Sequence, residues 1–145
     1  MRVVLQRVTH ARVIIDNQEV GRVEQGLLLL VGIHKDDTPE AIDFLAAKCA
    51  DIRVFADDQG KMNLSLREVH GAALVVSQFT LLGDCRKGRR PSYTDAAPPE
   101  KGKELYERFV EQLRTHIPNV QTGVFGALMH VELINDGPVT LILEK

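Results

Sequence analysis

The chain lacks most of the features that identify a function at sight. Two cysteines, Cys49 and Cys85, among 145 residues make no disulfide framework. The opening stretch "MRVVLQRVTH" has no long apolar core of the kind a signal peptide carries, and no run approaches membrane-spanning length. A reducing cytoplasm and no membrane partner are the expectations. A net charge of −2 excludes a surface coated in positive charge for indiscriminate nucleic-acid binding. There is no internal repeat, low-complexity tract or linker. The motifs HExxH, GxGxxG, GxSxG and the phosphate-binding P-loop are also absent. The five histidines are scattered, with no close pairing to cysteine. No metal site and no cofactor are therefore expected.

What is present suits one soluble domain spanning residues 1–145, with 44% hydrophobic and 26% charged residues. "RVVLQRVTHARVII", the turn "DNQE" and "VGRV" predict an N-terminal hairpin. The apolar run "GLLLLVGI" predicts a strand buried on both faces. Thr38 and Pro39 supply a cap and first-turn signal for a helix with Ile42, Leu45, Ala46 and Cys49 on one stripe. "IRVF" reads as a strand, "ADDQGK" as a turn and "AALVVSQFTL" as another buried strand. Gly83 to Pro99 reads as a long loop. A second helix starts near Pro99, with Leu105, Phe109 and Leu113 spaced four apart. "ALMHVELI" and "VTLILE" read as a closing hairpin across "NDGPVT". The fold class that follows is α+β: a largely antiparallel, barrel-like sheet with two packed helices in a single domain.

Three segments carry chemistry. "SQFTL" ends an apolar strand with Ser77, Gln78 and Thr80, and polar groups there need partners. "CRKGRRPSY" concentrates Arg86, Lys87, Arg89 and Arg90 around Gly88, with Tyr93 nearby. Such a loop can track a phosphate backbone and offer a ring for stacking. "NDGPVT" places Pro138 after the Asp-Gly pair, so a turn that glycine makes easy is stiffened again. Cys85 has basic neighbours but no readable partner base, and Cys49 belongs to an apolar helix stripe, so neither is assigned a role.

With "SQFT" and "GPVT" about sixty residues apart, the chain resembles the D-aminoacyl-tRNA deacylases. "QRV", "GIHKDD", "KMNLSL", "VVSQFTL", "RRPSY", "TGVFGALM" and "NDGPVT" follow in that family's order over nearly the whole length. The resemblance implies the fold of that family. It also implies hydrolysis of the ester joining a D-amino acid to the terminal ribose of tRNA, a form of chiral proofreading. The enzyme would be a homodimer with two active sites at the interface. A cis Gly137–Pro138 bond would reach into the partner's pocket, its carbonyls held by Arg7. Two rigid carbonyls facing the substrate's α-carbon would admit hydrogen or a D side chain and exclude an L side chain. Glycyl-tRNA, including glycine mischarged on tRNA(Ala), would pass.

On this reading the N–H groups of Phe79 and Thr80 are the oxyanion donors, and Ser77 and Gln78 hold the ribose or the amino group. Phe125 stacks near the terminal adenine. Thr80 is either a nucleophile or an orienting residue, with the neighbouring 2′-hydroxyl helping to activate water. Two other classes stay open: a non-catalytic dimeric tRNA-binding module, and a small-molecule esterase. The esterase would leave the basic loop unexplained, and no Ser-His pairing supports it.

Overall fold

A computed structural model describes residues 1–145. The first strand, β1 (Arg2–Ile15), runs into β2 (Gln18–Val23) through Asp16 and Asn17, both at positive φ (49° and 61°). Asparagine and aspartate tolerate that region best among residues with a Cβ, and two such residues in succession make the tight turn of a hairpin. β3 (Gly26–Gly32) then pairs antiparallel with β1 from Arg2 to Val8.

The helix α1 (Pro39–Asp51) begins where the cap signal placed it, with the Thr38 hydroxyl accepting from the Ala41 N–H. Ile42, Leu45, Ala46 and Cys49 are buried along its stripe. A small hairpin of β4 (Arg53–Ala56) and β5 (Met62–Ser65) follows. β6 (Ala72–Ser77) lies parallel to β3, and β7 (Val120–Thr122) lies parallel to β6. Between them run a short 3-10 turn (Phe79–Leu82) and the long helix α2 (Pro99–His116).

The sheet is therefore mixed, antiparallel around β1 and parallel from β3 through β6 to β7, and it nearly closes into a barrel. The closing approach is between β2 and β7, where a Cβ on Gly21 would come within 2.6 Å of the Thr122 carbonyl oxygen. Only glycine allows two backbones to come so close.

Continuous apolar runs in β3 and β6 are explained by burial on both faces. Leu27, Leu29 and Val31 of β3, with Ala73 and Val75 of β6, face the two helices. Leu28 of β3, with Leu74 and Val76 of β6, fills the other side against Val8, Ala11 and Val13 of β1. The helix-side core contains Phe109 and Leu113 of α2, both fully buried. Burying one side chain of that size contributes about 2–3 kcal/mol. The α2 stripe of Leu105, Phe109 and Leu113 is buried as its spacing requires. No helix is long and apolar enough to cross a membrane.

Two sequence expectations are corrected. "AALVVSQFTL" is not one strand: β6 ends at Ser77, and Phe79–Leu82 coil into the 3-10 turn. "NDGPVT" does not close a hairpin either. β8 is one strand, His130–Glu144, paired with β1 on both sides of that motif. Thr140 to Glu144 face Gln6 to Arg2, and His130 to Asn135 face Ile14 to Val8. Asp136 to Val139 are extra residues that bulge out of a continuous ladder.

Candidate active site

Parallel pairing positions the end of β6. Its register with β3 runs to Ser77 opposite Val31, and the Gln78 N–H then bonds the Val31 carbonyl at 2.8 Å. Beyond that point the chain cannot follow β3, which ends at Gly32, so it coils. The Leu81 and Gly83 N–H groups bond back to the Gln78 and Thr80 carbonyls at 3.2 and 3.0 Å. Phe79 and Thr80 open the turn, where N–H groups have no partner within it. From the other end, Nη1 of Arg2 donates to the Leu81 carbonyl at 2.5 Å and ties the turn to β1.

This turn forms one wall of a cavity of about 640 Å³. Ser77, Gln78 and Phe79 line it on one side, Tyr106 and Phe125 on another, and Tyr93 and Met129 also contribute. Phe79 is 58% exposed and meets Tyr93 edge-on, with ring centroids 5.1 Å apart. Phe125 tilts against Tyr106 at 5.8 Å. Aromatic pairs at these separations contribute about 0.5–1.5 kcal/mol each beyond the area they bury. The Tyr106 hydroxyl donates to the Val75 carbonyl at 2.9 Å, and burial raises its pKa above the usual phenol value.

Thr80 is exposed and outside the lining, with its hydroxyl oxygen accepting from Nε2 of Gln78. Its hydroxyl makes no hydrogen bond to a histidine or a carboxylate that could take its proton. The basic loop leaves the turn at Gly83 and is closed at its base by an antiparallel bridge between Asp84 and Ser92. Arg86, Lys87, Arg89 and Arg90 are all exposed around Gly88, whose φ is +72°. Cys85 is exposed as well, whereas burial pushes the Cys49 thiol up to about 12.

The Gly137–Pro138 peptide is cis, and Gly137 has a φ of +123°. That φ favours glycine, and a Cβ at Gly137 would lie 2.7 Å from Nη2 of Arg7 and push the guanidinium aside. Arg7 Nε donates to the Asp136 carbonyl at 3.2 Å, and Nη1 donates to the Val54 carbonyl on β4. The structure thus gathers Ser77, Gln78, Phe79 and Phe125 at one cavity and Arg7, Gly137 and Pro138 at a separate bulge. None of the last three lines the cavity of its own chain.

Sequence reasoning assigned no role to Tyr106 or Arg2. The only trace of Tyr106 in the sequence is a polar tip on an apolar helix stripe, and Arg2 in a strand gives no sign of its reach to Leu81. Asn135 lies inside "NDGPVT", whose letters give its side chain no task.

The architecture is found in solved structures. One entitled "c-Myc DNA Unwinding Element Binding Protein" superposes with a TM-score of 0.95 at 37% identity, covering 100% of this chain and 99% of that one. A second, entitled "Structural Analysis of a probable eukaryotic D-amino acid tRNA deacylase", superposes at 0.86 with 20% identity and shows the fold alone. Both structures share this architecture over nearly their whole length.

The family model for D-Tyr-tRNA(Tyr) deacylase matches residues 4–144. A D-aminoacyl-tRNA deacylase of Thermotoga petrophila is 58% identical over 145 residues, covering 100% of this chain and 97% of that protein. A deacylase of the same name from Anoxybacillus flavithermus is also 58% identical, with 99% of its length covered. The chain belongs to the D-Tyr-tRNA(Tyr) deacylase family and is a hydrolase of that family.

Proposed function

We propose that the protein hydrolyses the ester between a D-amino acid and the terminal ribose of tRNA, releasing both, and that it works as a homodimer. The observation carrying this is the separation between the cavity at Ser77–Phe79 and the bulge at Gly137–Pro138. Each chain has a pocket without the bulge and a bulge without a pocket, so a second copy completes both. β8 supplies a surface for that copy. It pairs with a strand on one edge only, and Ile134, Leu141 and Ile142 are exposed along it. Unpaired strand edges with apolar side chains are surfaces that favour association.

In the assembled site the carbonyls near Gly137 and Pro138 face the substrate's α-carbon. A hydrogen or D side chain fits beside them, and an L side chain collides. Arg7 keeps the bulge in place with a guanidinium whose fixed donors suit carbonyl oxygens. Phe125, backed by the buried Tyr106, receives the terminal adenine by stacking.

An aminoacyl ester is already activated, so positioning of water and oxyanion stabilisation suffice. The Phe79 and Thr80 N–H groups supply that stabilisation, Ser77 and Gln78 hold the ribose or the amino group, and Thr80 orients. Lys87, Arg89 and Arg90, with Arg86 at the loop base, stand on the side from which the acceptor-stem phosphates approach. Both thiols are free, in keeping with action in a reducing cytoplasm.

The test is to incubate D-Tyr-tRNA, L-Tyr-tRNA and a simple D-tyrosine ester with the protein. Selective release of D-tyrosine from tRNA supports the reading. Binding of tRNA without release, or equal release of both enantiomers, removes it.

A further inference from the structure

Asn135 stands where β8 leaves its ladder with β1. Its Cα faces Val8, and the next registered pair is Thr140 opposite Gln6. While β8 runs through Asp136, Gly137, Pro138 and Val139, β1 advances only through Arg7. The base of the bulge therefore lacks normal strand pairing, and backbone groups there need other partners.

The Asn135 carboxamide supplies them. Its Oδ1 accepts the Val139 N–H at 2.9 Å, and its Nδ2 donates to the Val139 carbonyl at 3.1 Å. The same Nδ2 donates to Oγ1 of Thr140 at 3.1 Å, and Nε2 of Gln6 reaches that hydroxyl at 3.2 Å. A carboxamide carries the donor and acceptor of a peptide unit, so Asn135 pairs with Val139 much as a neighbouring strand would. Both amide protons are engaged. Arg7 holds the bulge where it begins, at the Asp136 carbonyl, whereas Asn135 ties the end of the bulge, at Val139 and Thr140, back to its start.

We propose that Asn135 is a positioning residue for chiral selection: by clamping Val139 and Thr140 it fixes where Gly137 and Pro138 stand, without touching substrate. This rests on the reading of the bulge as the element that excludes L-amino acids. The informative change is Asn135→Asp. It keeps the shape and the acceptor for the Val139 N–H but sets oxygen against the Val139 carbonyl and adds a charge beside Asp136.

The experiment measures kcat/KM for D-Tyr-tRNA and L-Tyr-tRNA on the full-length wild type, Asn135→Asp, Asn135→Ala and Thr140→Val, with thermal unfolding of each. Arg7→Ala is the control for the bulge itself. The D-to-L preference of both Asn135 variants is expected to fall at least about tenfold through faster L-Tyr-tRNA hydrolysis, as loss of one to two hydrogen bonds allows. Thr140→Val moves it less and in the same direction, and it serves as the reporter if the Asn135 variants fold poorly. A merely structural role would lower stability and both rates together and leave the preference intact, which overturns the proposal. If Arg7→Ala loses the preference while the Asn135 and Thr140 variants keep it, the bulge selects and Asn135 does not set it. If no variant alters the preference, selection lies elsewhere and the reading of the bulge falls as well.

Discussion

Arg86 holds both carboxylate oxygens of Asp84, Nε to Oδ1 at 2.9 Å and Nη2 to Oδ2 at 2.8 Å. Asp84 also pairs with Ser92 through the backbone, at 2.8 and 3.0 Å, so the fork and the bridge close the same loop base. The hydrogen bonds from Arg86 hold the Asp84 carboxyl at about 2, well below its ordinary 3.8. A lowered carboxylate pKa contributes to the folded loop above the unfolded value and is lost only as pH falls through the folded one. The Asp84 carboxyl carbon, followed by NMR, is therefore expected not to titrate between pH 7 and about pH 3. A midpoint near 4 would mean that the fork is open in solution.

The same pairing divides the basic loop. Arg86 is committed to Asp84, while Lys87, Arg89 and Arg90 are exposed without a carboxylate partner. Replacing any of those three by alanine is expected to weaken tRNA binding and to flatten the plot of log affinity against log salt by about 0.7–0.9 per residue. Arg86→Ala changes that slope less, because its guanidinium donors are already engaged by Asp84. Fluorescence anisotropy with labelled tRNA over a salt series checks this. Equal slopes for wild type and Lys87→Ala, Arg89→Ala and Arg90→Ala would place the phosphates elsewhere.

The division of the loop was not legible in "GDCRKGRR", because a run of charges does not say which one is held by a neighbour. Local signals read well. Thr38 with Pro39 placed α1, and the all-apolar runs of β3 and β6 announced burial on two faces. β8 misled because Asp-Gly followed by proline has the local chemistry of a hairpin turn. Its continuity depends on pairing with β1 on both sides of the bulge, which is a long-range relation. The cavity was legible only in part. Its polar strand end showed in "SQFTL", whereas Tyr106 reached the wall through tertiary packing of α2 against β6.

Tyr106 offers a stability test. The Val75 carbonyl accepts from its hydroxyl at 2.9 Å and from the Gly123 N–H at 3.1 Å. Tyr106→Phe therefore leaves that carbonyl one partner and keeps the ring against Phe125. The expected cost is about 1 kcal/mol, seen as a fall in Tm of roughly 2–5 °C by calorimetry. A much larger fall would mean that the hydroxyl also orders the cavity wall.

Thr80 separates two mechanisms. Its hydroxyl oxygen accepts from Gln78, and no histidine or carboxylate is hydrogen-bonded to it. An unactivated hydroxyl is a poor nucleophile. Thr80→Ala is expected to retain substantial D-Tyr-tRNA hydrolysis, whereas tRNA ending in 2′-deoxyadenosine is cleaved poorly by the wild type. Single-turnover rates on both substrates decide it. Complete loss in Thr80→Ala, with folding and tRNA binding intact, would restore the nucleophile.

Selection by collision has a blind spot. If the carbonyls near Gly137 and Pro138 exclude a side chain on one face of the α-carbon, a substrate with no side chain meets nothing there. Glycine is achiral, and the bulge makes no contact that could distinguish its two hydrogens. Glycyl-tRNA, including glycine mischarged on tRNA(Ala), is therefore expected to be cleaved, with a rate closer to that of D-Tyr-tRNA than to that of L-Tyr-tRNA. Deacylation of radiolabelled glycyl-tRNA at rising enzyme concentration measures it directly. Glycyl-tRNA that survives at high enzyme would show that the site binds a D side chain positively, since exclusion alone cannot reject the smaller substrate.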